Sequence, residues 1–249
     1  MLYYFGLAAA GIFGAIFGSY STLFAYRLPI GESCFGRYFG PKSRCPNCNT
    51  IIRTRELIPI FNWLFTLGRC TTCKVKIPKT YLLIELATTI LFMVCYVKFS
   101  FSEEFIIFAL ISAASVVIVA TDYSSKTFPN QALNIILIAG LINRVLLDNG
   151  IADAIFSAAI GVVFATIFYQ LFHKKFNSFL QSEKQSLGYA KFIIIAAICL
   201  SPIIFLLYFL SVCLILILLI IFGKSLKQVN NGLGFSLVLP FLWLMLYPF

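Results

Sequence analysis

The chain has 249 residues, of which 61% are hydrophobic and 11% charged. Soluble domains carry roughly 25% charged residues, so the composition excludes a soluble enzyme or binding module and indicates a polytopic membrane protein with apolar runs set by bilayer thickness. The formal charge of +10 does not imply nucleic acid as a partner, because the basic residues sit mostly in loops, where they set topology.

The N-terminal MLYYFGLAAAG has no basic residue ahead of its apolar run, so it reads as a retained first helix and not as a cleaved signal peptide. This helix is expected over residues 2–26. Gly11, Gly14 and Gly18 fall on nearly one face, and Gly14-x-x-x-Gly18 is a spacing that lets helices approach closely. Residues 27–79 form the only long polar segment, with ten of the 19 basic residues and two acids, Glu32 and Glu56. The positive-inside rule keeps such a loop in the cytoplasm. Further spans are then expected at 81–97, 105–121, 132–147 and 152–172, the last leading into a loop with Lys174, Lys175, Lys184 and Lys191. The apolar run 192–222 is long for one span and contains Ser201-Pro202, so two short, closely joined spans are expected there. Lys224 and Lys227 follow. Asn230-Asn231-Gly232 reads as a turn before a last span over 235–247. The expectation is eight transmembrane helices, with both termini outside. Three regions follow from it: a first helix (1–26), a cytoplasmic loop domain (27–79) and a membrane domain (80–249).

Cys45-x-x-Cys48 and Cys70-x-x-Cys73 are separated by 21 residues. Four thiolates at this kind of spacing can close a tetrahedral structural zinc shell, with no open position for catalysis. Arg44, Arg69, Lys74 and Lys76 flank the thiols and would favour the thiolate form. The alternative is a redox-active dithiol, which usually carries a single C-x-x-C. Cys95, Cys199 and Cys213 lie in apolar runs and read as small core residues. Cys34 stands alone in the loop.

Asp122 ends the third expected span. A carboxylate there is either a solvated helix-end acid paired with Lys126 or a functional group. The functional reading is an aspartic peptidase, in which two carboxylates share one proton and activate a water. That chemistry needs a second carboxylate nearby. The charged residues cluster at helix ends, which argues against a transporter or channel. The lone His173 cannot make a metal site and reads as a surface anchor.

Several motifs occur together in order. They are Gly18-Ser19-Tyr20, Tyr26-Arg27-Leu28-Pro29, Arg44-Cys45-Pro46-Asn47-Cys48, Ile58-Pro59, Trp63-Leu64, Gly68-Arg69-Cys70-Thr71-Thr72-Cys73, Ile77-Pro78-Lys79-Thr80-Tyr81 and Glu85. Asp122 with Pro129-Asn130 follows, as D-x(6)-P-N. In these the chain resembles the type IV prepilin peptidases, bifunctional leader peptidases and N-methyltransferases of bacterial pilus and type II secretion systems. The resemblance implies an all-α membrane fold of the intramembrane G-x-G-D aspartic peptidase type, in the bacterial inner membrane. It also implies hydrolase activity on prepilins or pseudopilins, and methylation by S-adenosylmethionine at residues it does not name. Asp122 matches the family's first catalytic aspartate. The second lies in G-x-G-D-x-K, and here the chain reads Ser186-Leu187-Gly188-Tyr189-Ala190-Lys191. Tyr189 stands in the aspartate's place if no gap is opened; with a gap, Gly-Asp is deleted. A tyrosine, with a pKa near 10, is no carboxylate. Glu183 and Glu85 are the surrogate acids. The alternative to an active enzyme is a diverged, non-proteolytic member, a pseudoenzyme that binds pilin-like substrates or secretion partners.

Overall fold

The computed structural model describes residues 1–34, 42–147, 150–176, 183–222 and 226–246. Asp148, Lys224 and Tyr247 lie outside the described residues, as do the side chains of His173, Lys174, Lys175, Glu183, Lys184 and Lys227. Among the described residues the protein is helical and carries two isolated β-bridges. It divides into two compact units, Met1–Phe101 and Ser102–Phe249.

The first unit contains helix α1 (Leu2–Arg27), a 3-10 turn (Thr54–Leu57), the short α2 (Phe61–Phe65) and α3 (Lys79–Phe99). α1 and α3 run antiparallel: Gly6 packs on Tyr96, Gly14 on Thr88, Thr89 and Phe92, and Gly18 on Glu85. A Cβ on Gly18 would lie 2.8 Å from the Cα of Glu85, and one on Gly14 would lie 2.8 Å from the Cα of Thr89. Backbone cannot yield as a side-chain tip can, so these two glycines set the distance between the helices. Each glycine weakens a helix by about 1 kcal/mol relative to alanine, and the close approach offsets this. Gly11 is different, because a Cβ there would make ordinary contact with Met93 at 3.5 Å. Gly18→Leu is therefore expected to cost about 1–3 kcal/mol through overpacking. Gly11→Ala should be near neutral; unfolding of both variants in mixed micelles checks this. The composition boundary at residue 79 marks the change from polar loop to apolar helix. The compact units part later, after Phe101, because α3 packs along α1.

The second unit contains α4 (Glu103–Ser125), α5 (Asn130–Ile142) continued by a π-helical turn (Asn143–Leu147), α6 (Ile151–Phe176), α7 (Glu183–Cys199), α8 (Pro202–Phe222) and α9 (Leu226–Leu246). Ser102 caps α4 by accepting from the Phe105 N–H, with Glu103 and Glu104 in the first turn favoured by the helix dipole. Lys126, at φ 56°, closes its C-terminus. α4 packs against α5 and α9, α6 against α7, and α8 against α9. α4 is the central helix of this unit: 72% of its apolar window is buried, against 28% for α6.

The run 192–222 breaks at Leu200 and Ser201, and Pro202 opens α8. Proline suits the first turn of a helix, where its missing N–H is not needed. The turn expected at Asn230–Gly232 does not form, because these residues lie within α9. Weak helix formers are carried there by a helix anchored further along its length, an override of local propensity by tertiary packing. Among the described residues four helices are long and apolar enough to cross a membrane: Leu2–Arg27, Lys79–Phe99, Glu103–Ser125 and the Ile151–Gln170 part of α6. Gln185–Cys199, Pro202–Leu216 and Gly234–Leu246 are shorter apolar helices.

Candidate functional site

Asp122 lies one turn before the end of α4 and is 1% exposed. Its Oδ1 accepts hydrogen bonds from the Tyr189 hydroxyl at 2.8 Å and from Gln185 Nε2 at 3.2 Å. Its Oδ2 accepts from the backbone N–H of Gly234 at 3.0 Å. The Gln185 amide also donates to the Tyr189 hydroxyl at 2.7 Å. The Asp122 carboxyl thus joins three helices, α4, α7 and α9, through donors alone.

Local sequence explains the geometry. Gln185 and Tyr189 are four residues apart on α7 and so share a face. Gly188 lets α7 close on the α4–α5 connection, where a Cβ would fall 2.7 Å from the Cβ of Phe128. The Phe128 ring meets the Tyr189 ring edge to face at 4.9 Å and closes one side of the site. Gly234 allows α9 to bring its N–H onto Asp122, because a Cβ there would fall 2.5 Å from Oδ2. Asn130 and Lys191, both singled out in the sequence, hydrogen-bond at 3.1 Å.

Among the described residues the hydrogen-bond partners of Asp122 are a phenol, an amide and a backbone N–H. A lone carboxyl can polarise a water, but it cannot share a proton with a second carboxylate. Three buried hydrogen bonds to one carboxyl are each worth about 1.5–3 kcal/mol when the acceptor is charged, so the cluster also ties the helices together. Of the two surrogate acids, Glu85 belongs to the first unit. There its Oε2 accepts from the Ile60 N–H at 2.7 Å, holding a β-branched residue at φ 65°. The Glu183 side chain lies outside the described residues. Gln185 and Gly234 were not singled out from sequence. Only the four-residue spacing of Gln185 from Tyr189 hinted at the former, and nothing local marks the latter.

The cysteines form a second site, in the first unit. Cys45 and Cys70 begin two equivalent turns. In one, the Cys45 N–H bonds to the Thr50 carbonyl at 3.0 Å and the Asn49 N–H to the Cys45 carbonyl at 2.9 Å. In the other, the Cys70 N–H bonds to the Val75 carbonyl at 2.9 Å and the Lys74 N–H to the Cys70 carbonyl at 3.0 Å. β-Bridges pair Arg44 with Ile51 and Arg69 with Lys76, and Asn49 and Lys74 both turn at positive φ, 57° and 59°. The two C-x-x-C segments are therefore one knuckle built twice.

The four Sγ atoms lie within 4.8 Å of one another, and those of Cys45 and Cys73 are 3.8 Å apart. Tetrahedral ligands at about 2.3 Å from a metal lie roughly 3.8 Å from each other, so the donors fit a tetrahedral ion. The hydrogen bond between Cys48 and the Thr50 hydroxyl, and those from the Cys73 N–H to Cys70 and from the Val75 N–H to Cys73, lower these three thiols from the ordinary value. At Cys45 the Cys48 N–H also favours the thiolate. Burial and the neighbouring Cys48 and Cys70 thiols outweigh it, and Cys45 is pushed up to about 11. The four cysteines can bind a metal ion.

Residues 12–99 match the family model of the bacterial Peptidase A24 N-terminal domain. A prepilin leader peptidase/N-methyltransferase of Stutzerimonas stutzeri is 29% identical over 205 residues, which cover 74% of this chain and 69% of the relative. One of Bacillus subtilis is 32% identical over 122 residues, about half of each chain (49% and 48%). A type 4 prepilin-like proteins leader peptide-processing enzyme of Escherichia coli is 27% identical over 208 residues, covering 77% and 74%. No solved structure matches. The knuckle and helix pair of the first unit coincide with the matched N-terminal domain, and over about three quarters of its length the chain is similar to prepilin leader peptide-processing enzymes.

Proposed function

We propose that this chain is an inner-membrane, prepilin-binding member of the type IV prepilin peptidase family in which peptide hydrolysis is disabled. The observation that carries the reading is the Tyr189 hydroxyl at 2.8 Å from Asp122 Oδ1; the ungapped resemblance would put the family's second aspartate at this residue. A phenol there donates to Asp122 and occupies the space an attacking water needs. Retention of Asp122, Asn130 and Lys191 reflects ancestry and the packing of α4, α7 and α9. The substrates are prepilins or pseudopilins. The chain crosses the bilayer eight times, with the cysteine loop in the cytoplasm and both termini outside.

Cys45, Cys48, Cys70 and Cys73 hold a structural zinc ion. Zinc there fastens the two knuckles together and has no open position for chemistry. The relatives' names imply S-adenosylmethionine. A cleft of about 280 Å³ beside the knuckles is lined by Thr50, Ile51, Arg53, Glu56, Thr71 and Thr72. It offers no ring to stack on an adenine, so these residues do not fit that cofactor, and no methyl-transfer step is assigned to them.

The test is incubation with a prepilin bearing a Gly–Phe leader junction in liposomes. The substrate is expected to co-purify with the protein at full length. Removal of the leader by the unaltered chain, abolished by Asp122→Asn, would overturn the reading, as would failure to bind the substrate.

A further inference from the structure

The cysteine loop carries an apolar surface that neither the metal site nor the peptidase-type site uses. Phe61 and Leu64 are 57% and 51% exposed, and Phe65 and Leu67 are 83% and 81% exposed. These residues occupy α2 and the turn after it. Trp63 folds beneath Gly68, where a Cβ would fall 2.6 Å from its ring, and it forms the inner side of this turn. The positive φ values at Ile60, Leu67 and Gly68 hold the turn in its shape, with the larger apolar side chains outward.

Both ends of the turn are pinned to the start of α3. The Ile77 N–H bonds to the Gly68 carbonyl at 2.7 Å, just before Pro78 and Lys79 open the helix. The Ile60 N–H bonds to Glu85 Oε2, six residues inside α3. At 1.5 Å per residue, Glu85 lies about 9 Å along the axis from Lys79. α2 therefore sits beside the first two turns of a helix able to cross the membrane, which is the depth of lipid headgroups and the upper acyl chains. Arg53, Arg69, Lys74, Lys76 and Lys79 are exposed on the same loop. Of its two acids, Glu56 is engaged with the Arg53 N–H at 3.1 Å and Glu32 lies 3.9 Å from Arg27.

We propose that residues 58–67 form an interfacial wedge that inserts into the anionic headgroup layer of the bilayer that α1 and α3 cross. Phe61, Leu64, Phe65 and Leu67 enter the acyl boundary, and the five exposed basic residues bind lipid phosphates. Glu85 acts as the tether that sets the depth of the wedge. The charge favours an anionic lipid surface over a basic or neutral peptide, and the tether places the apolar side chains where the bilayer is the neighbour.

The chain has two tryptophans, so Trp243→Phe leaves Trp63 as a depth probe in the full-length protein. The metal-loaded protein is reconstituted in phosphatidylglycerol vesicles containing lipids brominated near the carbonyl end of the chain. Trp63 emission is expected to be quenched by the bromines and shielded from aqueous iodide. Adding Phe65→Glu and Leu67→Glu should remove most of the bromine quenching and open Trp63 to iodide, with metal content and helical circular dichroism retained. Replacing phosphatidylglycerol by phosphatidylcholine should weaken the quenching, and undiminished quenching there would overturn the role of anionic lipid. A parent protein whose Trp63 is open to iodide and untouched by the bromines overturns the wedge without recourse to any loop variant. Shielding that arises only on addition of a prepilin peptide also overturns it, since the surface would then be a protein-docking site.

Discussion

If hydrolysis is disabled as proposed, Tyr189→Asp is expected to give the chain leader peptidase activity. The Tyr189 hydroxyl already touches Asp122 Oδ1 at 2.8 Å. An aspartate on the same Cα is several ångströms shorter, so its carboxylate would face Asp122 across a gap that a water can fill. Two carboxylates so placed cannot both ionise freely, and the shared proton supplies a base and an acid in one site. Acid–base catalysis of this kind is worth about 10²–10⁴-fold in rate, which is the gain expected over the unaltered chain on a Gly–Phe prepilin junction. The pH–rate profile should be bell-shaped and describe the pair as a unit. Tyr189→Asn, which opens the same gap without a second carboxyl, should show no gain. Asp122→Asn in the Tyr189→Asp background should abolish the activity. Equal cleavage by Tyr189→Asn and Tyr189→Asp would show that room for water, and not a dyad, is what the chain lacks. Inserting Gly-Asp after Tyr189 would rotate the rest of α7 by about 200° at 3.6 residues per turn, whereas the point substitution leaves its packing on α5 and α6 in register.

The second large effect concerns the cysteine knuckles. The purified protein is expected to hold about one zinc per chain in a four-thiolate shell, and the double variant Cys45→Ser, Cys73→Ser almost none. Structural zinc supplies about 10–16 kcal/mol of apparent binding energy in small metal-dependent folds, so metal loss should unfold the knuckles outright. The loop should then become protease-sensitive between residues 42 and 79. The helix pair α1–α3 should persist, because Gly14 and Gly18 pack it without help from the loop. Metal binding requires thiolates, so protons compete with it and retention weakens as the pH falls. Cys45, pushed up to about 11 without metal, holds its proton most tightly. Zinc content measured across a falling pH series and in the double variant checks both points. An unchanged metal content in the variant would remove the cysteines from the site.

Periodicity and length were enough to find the long helices, because a bilayer demands runs of about 20 apolar residues and the boundaries fall at charged or capping residues. The knuckles were legible for a similar reason: C-x-x-C is local, and each turn is closed by hydrogen bonds within six residues. α9 was misjudged at its start, since Asn230-Asn231-Gly232 has the composition of a turn and only packing keeps it helical. The depth of α2 was also invisible, because it depends on a hydrogen bond between Ile60 and Glu85, 25 positions apart.

The amino-acid sequence by itself determined the apolar runs of a membrane protein, the paired C-x-x-C segments that could share one metal, and a tyrosine, not a carboxylate, at position 189. These are matters of residue type and spacing. Only the tertiary structure decided what surrounds Asp122. Gln185 and Gly234 lie 63 and 112 positions away from it, on helices with no local mark of their role. A buried carboxyl must find donors wherever the fold brings them, and here it finds a phenol, an amide and a backbone N–H, which turn the remaining half of a dyad into a joint between three helices.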